Sequence, residues 1–383
     1  MRTPLLLGLA LSATLLASPA FAGLTAAELA LDSAVFGQFG AVTFGNYTAN
    51  NETEGRIAVG GNFIGGGGHN ICFNGCSGDT TSAALGATYG ALNVWGNVTG
   101  AGANPGGDAF IQGSNAAGST LNMNYYGGTG IVGANAGTIQ GANFVTTSAA
   151  SAGTTQNMRT GVPVTTNVAA GTVFPFPSTL PFQTALTDLS ASLKTDAQGT
   201  TAQVLGAYVQ NGQTGLTATA APGSYGGKKY GFVTTTMADL VSYQNFSGIT
   251  ATGLDAVFVI VSGTSSSALP NLNTVGNNVI WDFVDATTIS FAGQWYGQIL
   301  APNATVSNPS GNLNGTVIAQ NVVQSNEYHY GSYILPTNSL SGLPVVPMSG
   351  GGSTPIDEPS AFAVMAAGAG LLAAARRRAR ARR

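Results

Sequence analysis

Short apolar runs recur along most of the chain, separated by turns rich in glycine, asparagine and threonine. The clearest are Ala256–Val261 and Val279–Phe283, which are too short and too rich in β-branched residues to form helices. Such runs are typical of buried strands. The pattern therefore predicts a mainly β protein.

One segment has helical spacing instead. Apolar side chains recur there at intervals of four, three and four positions: Phe182, Leu186, Leu189 and Leu193. This spacing predicts an amphipathic helix from about Pro181 to Ala197, with the proline in the first turn and Gly199 at the stop. Its single apolar face must lie against another part of the molecule.

The apolar runs also repeat. Gly297–Ala304 aligns without a gap on Gly315–Val322, 18 residues later, with the apolar positions, the alanine and the asparagine coinciding. Shorter echoes, each a small residue followed by asparagine and a hydrophobic residue, occur at three upstream places: 60–63, 95–98 and 141–144.

A repeat of this length is the scale of one coil in a β-solenoid. Apolar residues of successive coils stack inward, and asparagine and glycine suit the corners because they tolerate left-handed conformations. We therefore expect a right-handed parallel β-helix with the long α-helix on its flank. A β-sandwich is the alternative.

Residues 146–171, rich in Ser, Thr, Ala and Gly, are expected to form a loose surface excursion.

The N-terminus has the pattern of a secretory signal peptide. Arg2 precedes an apolar run from Leu5 to Leu16, and small residues follow around Ala20-Phe21-Ala22. We assign residues 1–22 to the signal peptide and residues 23–345 to the body. Residues 346–358 form a Gly/Ser/Pro linker.

The C-terminus, residues 359–383, has the pattern of a sorting tail. The turn residues Asp357, Glu358 and Pro359 precede an apolar stretch from Ala361 to Ala375, and an arginine cluster that begins with Arg376, Arg377 and Arg378 ends the chain. As a helix the stretch would measure roughly 22 Å, short of the roughly 30 Å hydrocarbon core. The positive-inside rule predicts that the arginines stay in the cytoplasm.

This tail resembles the PEP-CTERM sorting signal of Gram-negative bacteria, in which a Pro-Glu-Pro box precedes a short membrane segment and an arginine cluster. Asp357 stands where the family has its first proline. The resemblance implies an exosortase-like processing enzyme as partner, transient attachment to the inner membrane, and a final location at the cell surface or in the extracellular matrix.

Charge narrows the possible partners of the body. Between residues 23 and 350, five cations stand against thirteen carboxylates, a formal net charge of −8. Nucleic-acid binding needs a basic patch that neutralises phosphates, so the composition argues against it. At 44% hydrophobic residues and 7% charged residues, the chain can form a core but carries a largely neutral polar surface.

Few residues carry candidate chemistry. Cys72 and Cys76 are the only cysteines, and in an exported protein the pair predicts a local disulfide. His69 would be a third ligand if the pair held a metal instead, but a lone cluster of this spacing is a weak metal signal. The sequence predicts no cofactor, no bound metal and no catalytic residue.

Two motifs at opposite ends of the body resemble the choice-of-anchor A domain. The first contains Glu54, Gly55 and Arg56, and the second, after Gly297–Ala304 and its repeat, contains Glu327 and His329. The family's members carry different C-terminal anchors, PEP-CTERM among them. The resemblance brings no catalytic residue with it, and we expect these motif residues to be structural.

Both motifs also permit sharper interpretations. On a strand, Glu54 and Arg56 would share a face and form a salt bridge or a cap, or else contact a ligand. Glu327 and His329 would likewise share a face and could act as an acid/base pair.

Three function classes follow. The first is an exported structural or adhesive protein of the envelope or matrix, with no enzymatic activity. The second is a β-helix protein that binds or acts on polysaccharide, although the cluster of acids or bases that catalysis needs is not found in the sequence. The third and minor one is ice binding, which would require a regular array of threonines.

Overall fold

The computed structural model describes residues 26–66, 69–72, 85, 87–123, 129–140, 143–146, 154–156, 165–168, 174–199, 208–210, 213–220, 229–242, 246–250, 253–254, 256–272 and 279–329. The chain divides into two units, Met1–Val346 and Pro347–Arg383. All the described residues belong to the first.

The described residues form three helices and twenty-nine strands. The helices are α1 Ala26–Gln38, α2 Phe182–Gly199 and α3 Met237–Ser242. The strands up to α2 are β1 Phe39–Thr43, β2 Tyr47–Ala49, β3 Arg56–Val59, β4 Phe63–Gly65, β5 Asn70–Ile71, β6 Leu92–Val94, β7 Val98–Gly100, β8 Gly102–Pro105, β9 Ala109–Asn115, β10 Thr120–Asn122, β11 Thr129–Asn135, β12 Thr138–Gln140, β13 Asn143–Thr146, β14 Thr154–Gln156 and β15 Thr165–Val168. The strands after α2 are β16 Tyr208–Gln210, β17 Gln213–Thr217, β18 Thr219–Ala220, β19 Tyr230–Thr236, β20 Phe246–Thr250, β21 Ala256–Ser262, β22 Ser265–Leu269, β23 Val279–Asp282, β24 Thr288–Phe291, β25 Trp295–Tyr296, β26 Gln298–Ser307, β27 Leu313–Asn314, β28 Val317–Gln324 and β29 Tyr328–His329.

Most of the strands stack as a parallel β-solenoid with three faces, which confirms the predicted fold class. Face A consists of β1, β3, β6, β9, β11, β13 and β15 together with β19, β21, β23 and the first halves of β26 and β28. Face B consists of β2, β4, β7, β22, β24 and the second halves of β26 and β28. Face C consists of β5, β8, β10, β12, β14, β25, β27 and β29.

The order of coils along the solenoid differs from the order along the chain. On face A, strand β1 lies between β28 and β3, with Ala41 paired to Val317 on one side and to Ile57 on the other. The chain therefore starts in the middle of the stack and builds outward to β15. It resumes at the far end near β19 and returns to close against its own first strand.

Two apolar layers hold this arrangement together. Inward-facing side chains of the three faces form the solenoid core, with Trp281 and Trp295 among the largest fully buried residues. A second layer lies between face A and the helices. The four apolar residues predicted to form one face of α2 all lie in this second layer with no solvent exposure, which confirms the flanking helix.

Several local predictions need correction. The segment 146–171 was expected to be a loose excursion, but β14 and β15 lie within it and extend the ladders of faces C and A. Helix α1 was not predicted, because its apolar residues show a weaker helical period than those of α2.

The eighteen-residue repeat holds for only half of its length. Ile299, Leu300 and Ala301 pair with Val317, Ile318 and Ala319 as aligned, but an irregularity follows, and Thr305 rather than Asn303 pairs with Asn321. The echo at 141–144 differs from the other two as well. Asn143 and Phe144 lie on a strand of face A, whereas the hydrophobic residues of the other echoes, Phe63 and Val98, begin strands of face B.

Candidate functional site

The two motifs at opposite ends of the sequence meet in space. We call this contact the closure seam: the junction of β28 and β29 with β1, β2, β3 and residues 52–54. The Glu54 amide donates to the Tyr328 carbonyl at 2.9 Å, and the Tyr328 amide donates to the Glu52 carbonyl at 3.0 Å. The seam exists because β1 inserts beside β28, so residues far apart in sequence become neighbours.

His329 is the centre of the polar contacts on the outside of this seam. Its Nδ1 lies 3.2 Å from Glu54 Oε1, and its Nε2 lies 3.3 Å from Glu327 Oε2. The Asn312 side-chain amide lies 2.9 Å from the same Nε2 and donates to Glu327 Oε2 at 3.3 Å. The structure thus brings Glu327 and His329 together, as their spacing suggested, and adds Glu54 as a second carboxylate.

The first motif runs from Glu54 into the start of β3. Glu54 precedes β3 rather than lying on it, and its pairing with Arg56 stays a prediction. Arg56 begins β3 and is 9% exposed. Gly55 packs closely against Gly40, because a Cβ on Gly40 would lie 2.8 Å from the Gly55 Cα.

A fully buried polar network lies beneath the seam. The Tyr47 hydroxyl donates to Gln324 Oε1 at 3.0 Å and lies 3.1 Å from Thr53 Oγ1. Gln324 Nε2 lies 3.1 Å from the same Thr53 oxygen and donates to the Glu52 carbonyl at 2.7 Å. These three side chains are at most 1% exposed. Sequence reasoning missed them because Tyr47 and Thr53 are far from Gln324 along the chain and no motif connects them.

Two buried carboxyl groups lie at the interface between the helices and face A. Asp282 on β23 accepts a hydrogen bond from Ser190 of α2 at 2.6 Å, and burial raises its pKa to about 8. Asp32 on α1 is also fully buried. Burial, with nearby Glu28 and Asp188, raises its pKa to about 8. Both groups favour the neutral acid in the folded state.

The remaining predicted site residues lie partly inside and partly outside the described residues. Cys72 is disulfide-bonded and buried, with a left-handed φ of 62°. Cys76 lies outside the described residues, as do the tail residues Asp357, Glu358, Pro359, Arg376, Arg377 and Arg378, so those assignments stay predictions.

Face B presents an uncharged polar surface. Among its described strands, one outward row consists of Ser290, Ser307, Val323, Thr48, Ile64 and Thr99, which are register partners in that order. The row carries hydroxyl and aliphatic groups and no ionisable side chain. Val323 is 39% exposed. It is one of two large hydrophobic side chains that are exposed in the described part of the chain.

A ladder of side-chain amides borders this surface. At the corner between faces A and B, the Asn46 backbone amide donates to Asn321 Oδ1 at 2.8 Å, and the Asn62 amide donates to Asn46 Oδ1 at the same distance. The Asn97 amide then donates to Asn62 Oδ1 at 2.9 Å. Each coil therefore fixes the corner of the next, which keeps face B regular. The echoes at 60–63 and 95–98 were the sequence signal for this ladder.

Neither surface has the features of a metal centre. Within the described ranges, no group of three or more His, Cys, Asp and Glu residues is placed to hold a metal ion. No helix in the same ranges combines the length and apolar character needed to cross a membrane.

Comparison with known proteins gives one match. A family model described as "Putative Ice-binding-like adhesive domain" matches residues 32–330, which include nearly all of the solenoid. No curated protein and no solved structure matches the chain.

Proposed function

The chain belongs to the ice-binding-like adhesive domain family, and on that premise we propose that it is an exported adhesive protein whose binding surface is face B. The observation that supports this proposal most directly is the length of the family match. Residues 32–330 contain faces A, B and C and the closure seam. An adhesive domain acts at the cell surface or outside the cell. Adhesion requires no active site, and the proposal includes no catalysis.

Face B suits this role better than the other faces. Face A is covered by α1 and α2, whose apolar residues pack on it. Face C carries Glu327 and His329 near the seam, together with Glu52, which accepts a hydrogen bond from Asn70. In the described structure, the row of face B defined above is at least partly exposed at every position and carries no charge. Its hydroxyl and aliphatic groups suit a neutral polymer such as a polysaccharide better than a charged partner.

A charge placed on face B should therefore abolish binding. Val323→Glu and Thr48→Glu, at adjacent register positions, are compared with the unmodified protein on glycan and matrix-protein arrays. Thr184→Glu is the matched control, because Thr184 is exposed on α2, which packs on face A rather than on face B. Loss of binding in the face B variants alone supports the proposal. Equal binding by all the proteins would show that another surface adheres.

The tail adds a proposal about the route to the surface. The turn at Asp357, Glu358 and Pro359, the short apolar stretch and the arginine cluster support sorting through the inner membrane and processing by an exosortase-like enzyme. Cells that express the chain with and without residues 357–383 are fractionated and treated with an external protease. If both forms distribute alike, the tail does not sort the protein.

Ice binding is the minor alternative. The family description and the hydroxyl groups in the row on face B favour it, but Val323 and Ile64 interrupt the hydroxyl residues of that row. A regular array of threonines is therefore lacking there. Thermal hysteresis measured on the body distinguishes the two functions, because a polysaccharide adhesin has no such activity.

A further inference from the structure

A second outward row runs beside the first on face B. Alternate residues of a strand point to the same side, so the residue two positions before each member of the first row also faces outward. These residues are Thr288, Thr305, Asn321, Asn46, Asn62 and Asn97, and each is at least partly exposed. Register pairing joins the first three, and the amide ladder joins the rest. Each coil of face B therefore presents one residue of each row.

The ladder fixes which end of the amide is used inside the protein. Asn46 Oδ1 accepts from the Asn62 backbone amide, and Asn62 Oδ1 accepts from that of Asn97. Asn321 Nδ2 and Asn97 Nδ2 donate to Thr305 and Asn62. In the described part of the chain, the Nδ2 groups of Asn46 and Asn62 have no hydrogen-bond acceptor. Two adjacent coils thus offer side-chain N–H donors to a ligand.

The first row alternates between aliphatic and hydroxyl side chains beside these donors. Val323, Thr48, Ile64 and Thr99 are consecutive register partners. Val323 and Ile64 are therefore two coils apart, about 9.5 Å at the usual spacing of neighbouring strands. This part of face B repeats every two coils.

The dimensions of the two rows determine the direction of a bound polymer. The two outward residues of one coil are about 7 Å apart along the strand, whereas six coils in register span about 24 Å along the solenoid axis. A chain laid across the strands would touch the two residues of one coil. A chain laid along the axis meets all six coils, so an extended ligand makes far more contact in that direction.

We propose that face B binds a single extended chain of an uncharged β-1,4-linked polysaccharide, laid along the solenoid axis with one sugar over each coil. Successive sugars of such a chain are turned over relative to each other, so the chain repeats every two sugars, as the first row repeats every two coils. Val323 and Ile64 contact the apolar C–H groups of sugar rings, and Asn46 and Asn62 donate to sugar oxygens. This inference rests on the proposed function, because it takes face B as the adhesive surface.

A length series of oligosaccharides tests the ligand and its direction. The purified full chain is titrated calorimetrically with β-1,4-linked glucose oligomers of increasing length, and with α-1,4-linked glucose oligomers as controls. We expect the Kd to fall with each added β-linked sugar up to about six, one for each coil. The α-linked oligomers, which coil instead of extending, should bind at least about tenfold more weakly. A Kd that stops falling after the first few sugars, equal binding of both linkages, or no binding of the β-linked oligomers overturns the proposal.

A variant of the ladder tests the outward donor. Asn62→Asp removes the Nδ2 donor but keeps an oxygen that accepts from the Asn97 amide, so thermal unfolding should not change. The Kd for the longest β-linked oligomer should rise about three- to tenfold, the effect of one hydrogen bond. Asn51→Asp is the matched control, because it adds the same charge just after β2 and its side-chain oxygen likewise accepts a backbone amide, that of Glu52 at 2.8 Å. An equal rise in both variants, or no rise in Asn62→Asp, would refute the role of this donor.

Val323→Glu separates this inference from the proposed function. The variant should abolish binding of the β-linked oligomers as well as adhesion on the arrays. If it abolishes adhesion while the length series is flat, face B is adhesive and the ligand assigned here is wrong. If adhesion is unchanged by Val323→Glu, the proposed function fails and this inference fails with it.

Discussion

Ser190 on α2 donates a 2.6 Å hydrogen bond to the carboxyl group of Asp282 on β23, inside the layer between helix and sheet. The contact joins α2 to a face of the solenoid by a polar bond within a largely apolar interface. Lys194, one turn further along α2, pairs at 2.7 Å with Asp285, and both side chains are about 40% exposed. The buried contact and the exposed one should therefore respond differently to pH.

Asp282→Asn should flatten the pH dependence of stability. The carboxyl pKa is about 8 when folded and near 3.8 when unfolded, because burial disfavours the charge. A raised carboxyl pKa gives stability that is fully present below about pH 4 and is lost as pH rises to about 8. The unmodified protein should thus unfold more easily at pH 8 than at pH 5.

Chemical unfolding between pH 4 and pH 8 measures this slope. Asn is neutral throughout, and its side-chain oxygen can still accept from Ser190, so the variant should lose less stability across the range. Asp32, with its own raised pKa, leaves part of the slope in place. Asp285→Asn is the control, since an exposed ion pair contributes at most about 1 kcal/mol. An unchanged slope in Asp282→Asn would mean that this carboxyl is not the titrating group.

Gly96→Ala should destabilise the corner between faces A and B. The Gly96 amide donates to the Gly61 carbonyl at 2.9 Å, and an added Cβ would lie 2.4 Å from that oxygen. Backbone cannot move aside as a flexible side chain can, so we expect a loss of about 1–3 kcal/mol, typical of overpacking. Gly37→Ala is the control, because Gly37 lies in α1 with no atom within 4 Å of its added Cβ.

The control should be neutral or stabilising by up to about 1 kcal/mol, since alanine favours helix over glycine. Urea unfolding of both variants gives the comparison. Equal stabilities would show that the coils at this corner can separate at little cost.

His329→Phe should weaken the closure seam. The ring shape is kept, but the contacts of Nδ1 with Glu54 and of Nε2 with Glu327 and Asn312 are lost. Leaving partly buried polar groups without this partner costs about 1–3 kcal/mol. Tyr296→Phe is the control, because it removes one hydrogen bond, that from Gln294, on the same face. A larger loss in the control would show that the imidazole contributes little.

Removal of the last two strands should prevent folding. A chain that ends at Asn314 lacks β28 and β29, which leaves β1 without its Val317 partner and the core open at Ala41. A chain that ends at Val346 keeps every described strand and should unfold cooperatively. Circular dichroism and thermal unfolding compare the two. A cooperative transition in the shorter chain would show that closure is dispensable.

The sequence predicted local secondary structure better than it predicted which coils lie next to each other in the stack. The spacing from Phe182 to Leu193 identified α2 and its buried face, because helical period is a local property. It could not show that Ala41 pairs with Val317, since coils with similar apolar patterns can stack in any order. Glu54 and His329 were accordingly singled out as parts of separate motifs, although they touch. For a related reason the sequence did not predict that Asn303 is out of register with Asn321. An irregularity in a strand changes the register without changing the residues that repeat.

The insertion of β1 beside β28 also determines when the molecule can be completed. An exported chain that emerges N-terminus first releases Phe39–Thr43 early, but that strand has one empty edge until Val317–Gln324 has followed it. Contacts of such long sequence separation form slowly, and unpaired strand edges are prone to aggregation in the meantime. Residues 330–383 emerge after the closing strands. If the tail halts in the membrane as proposed, the final coil forms while the chain is still tethered.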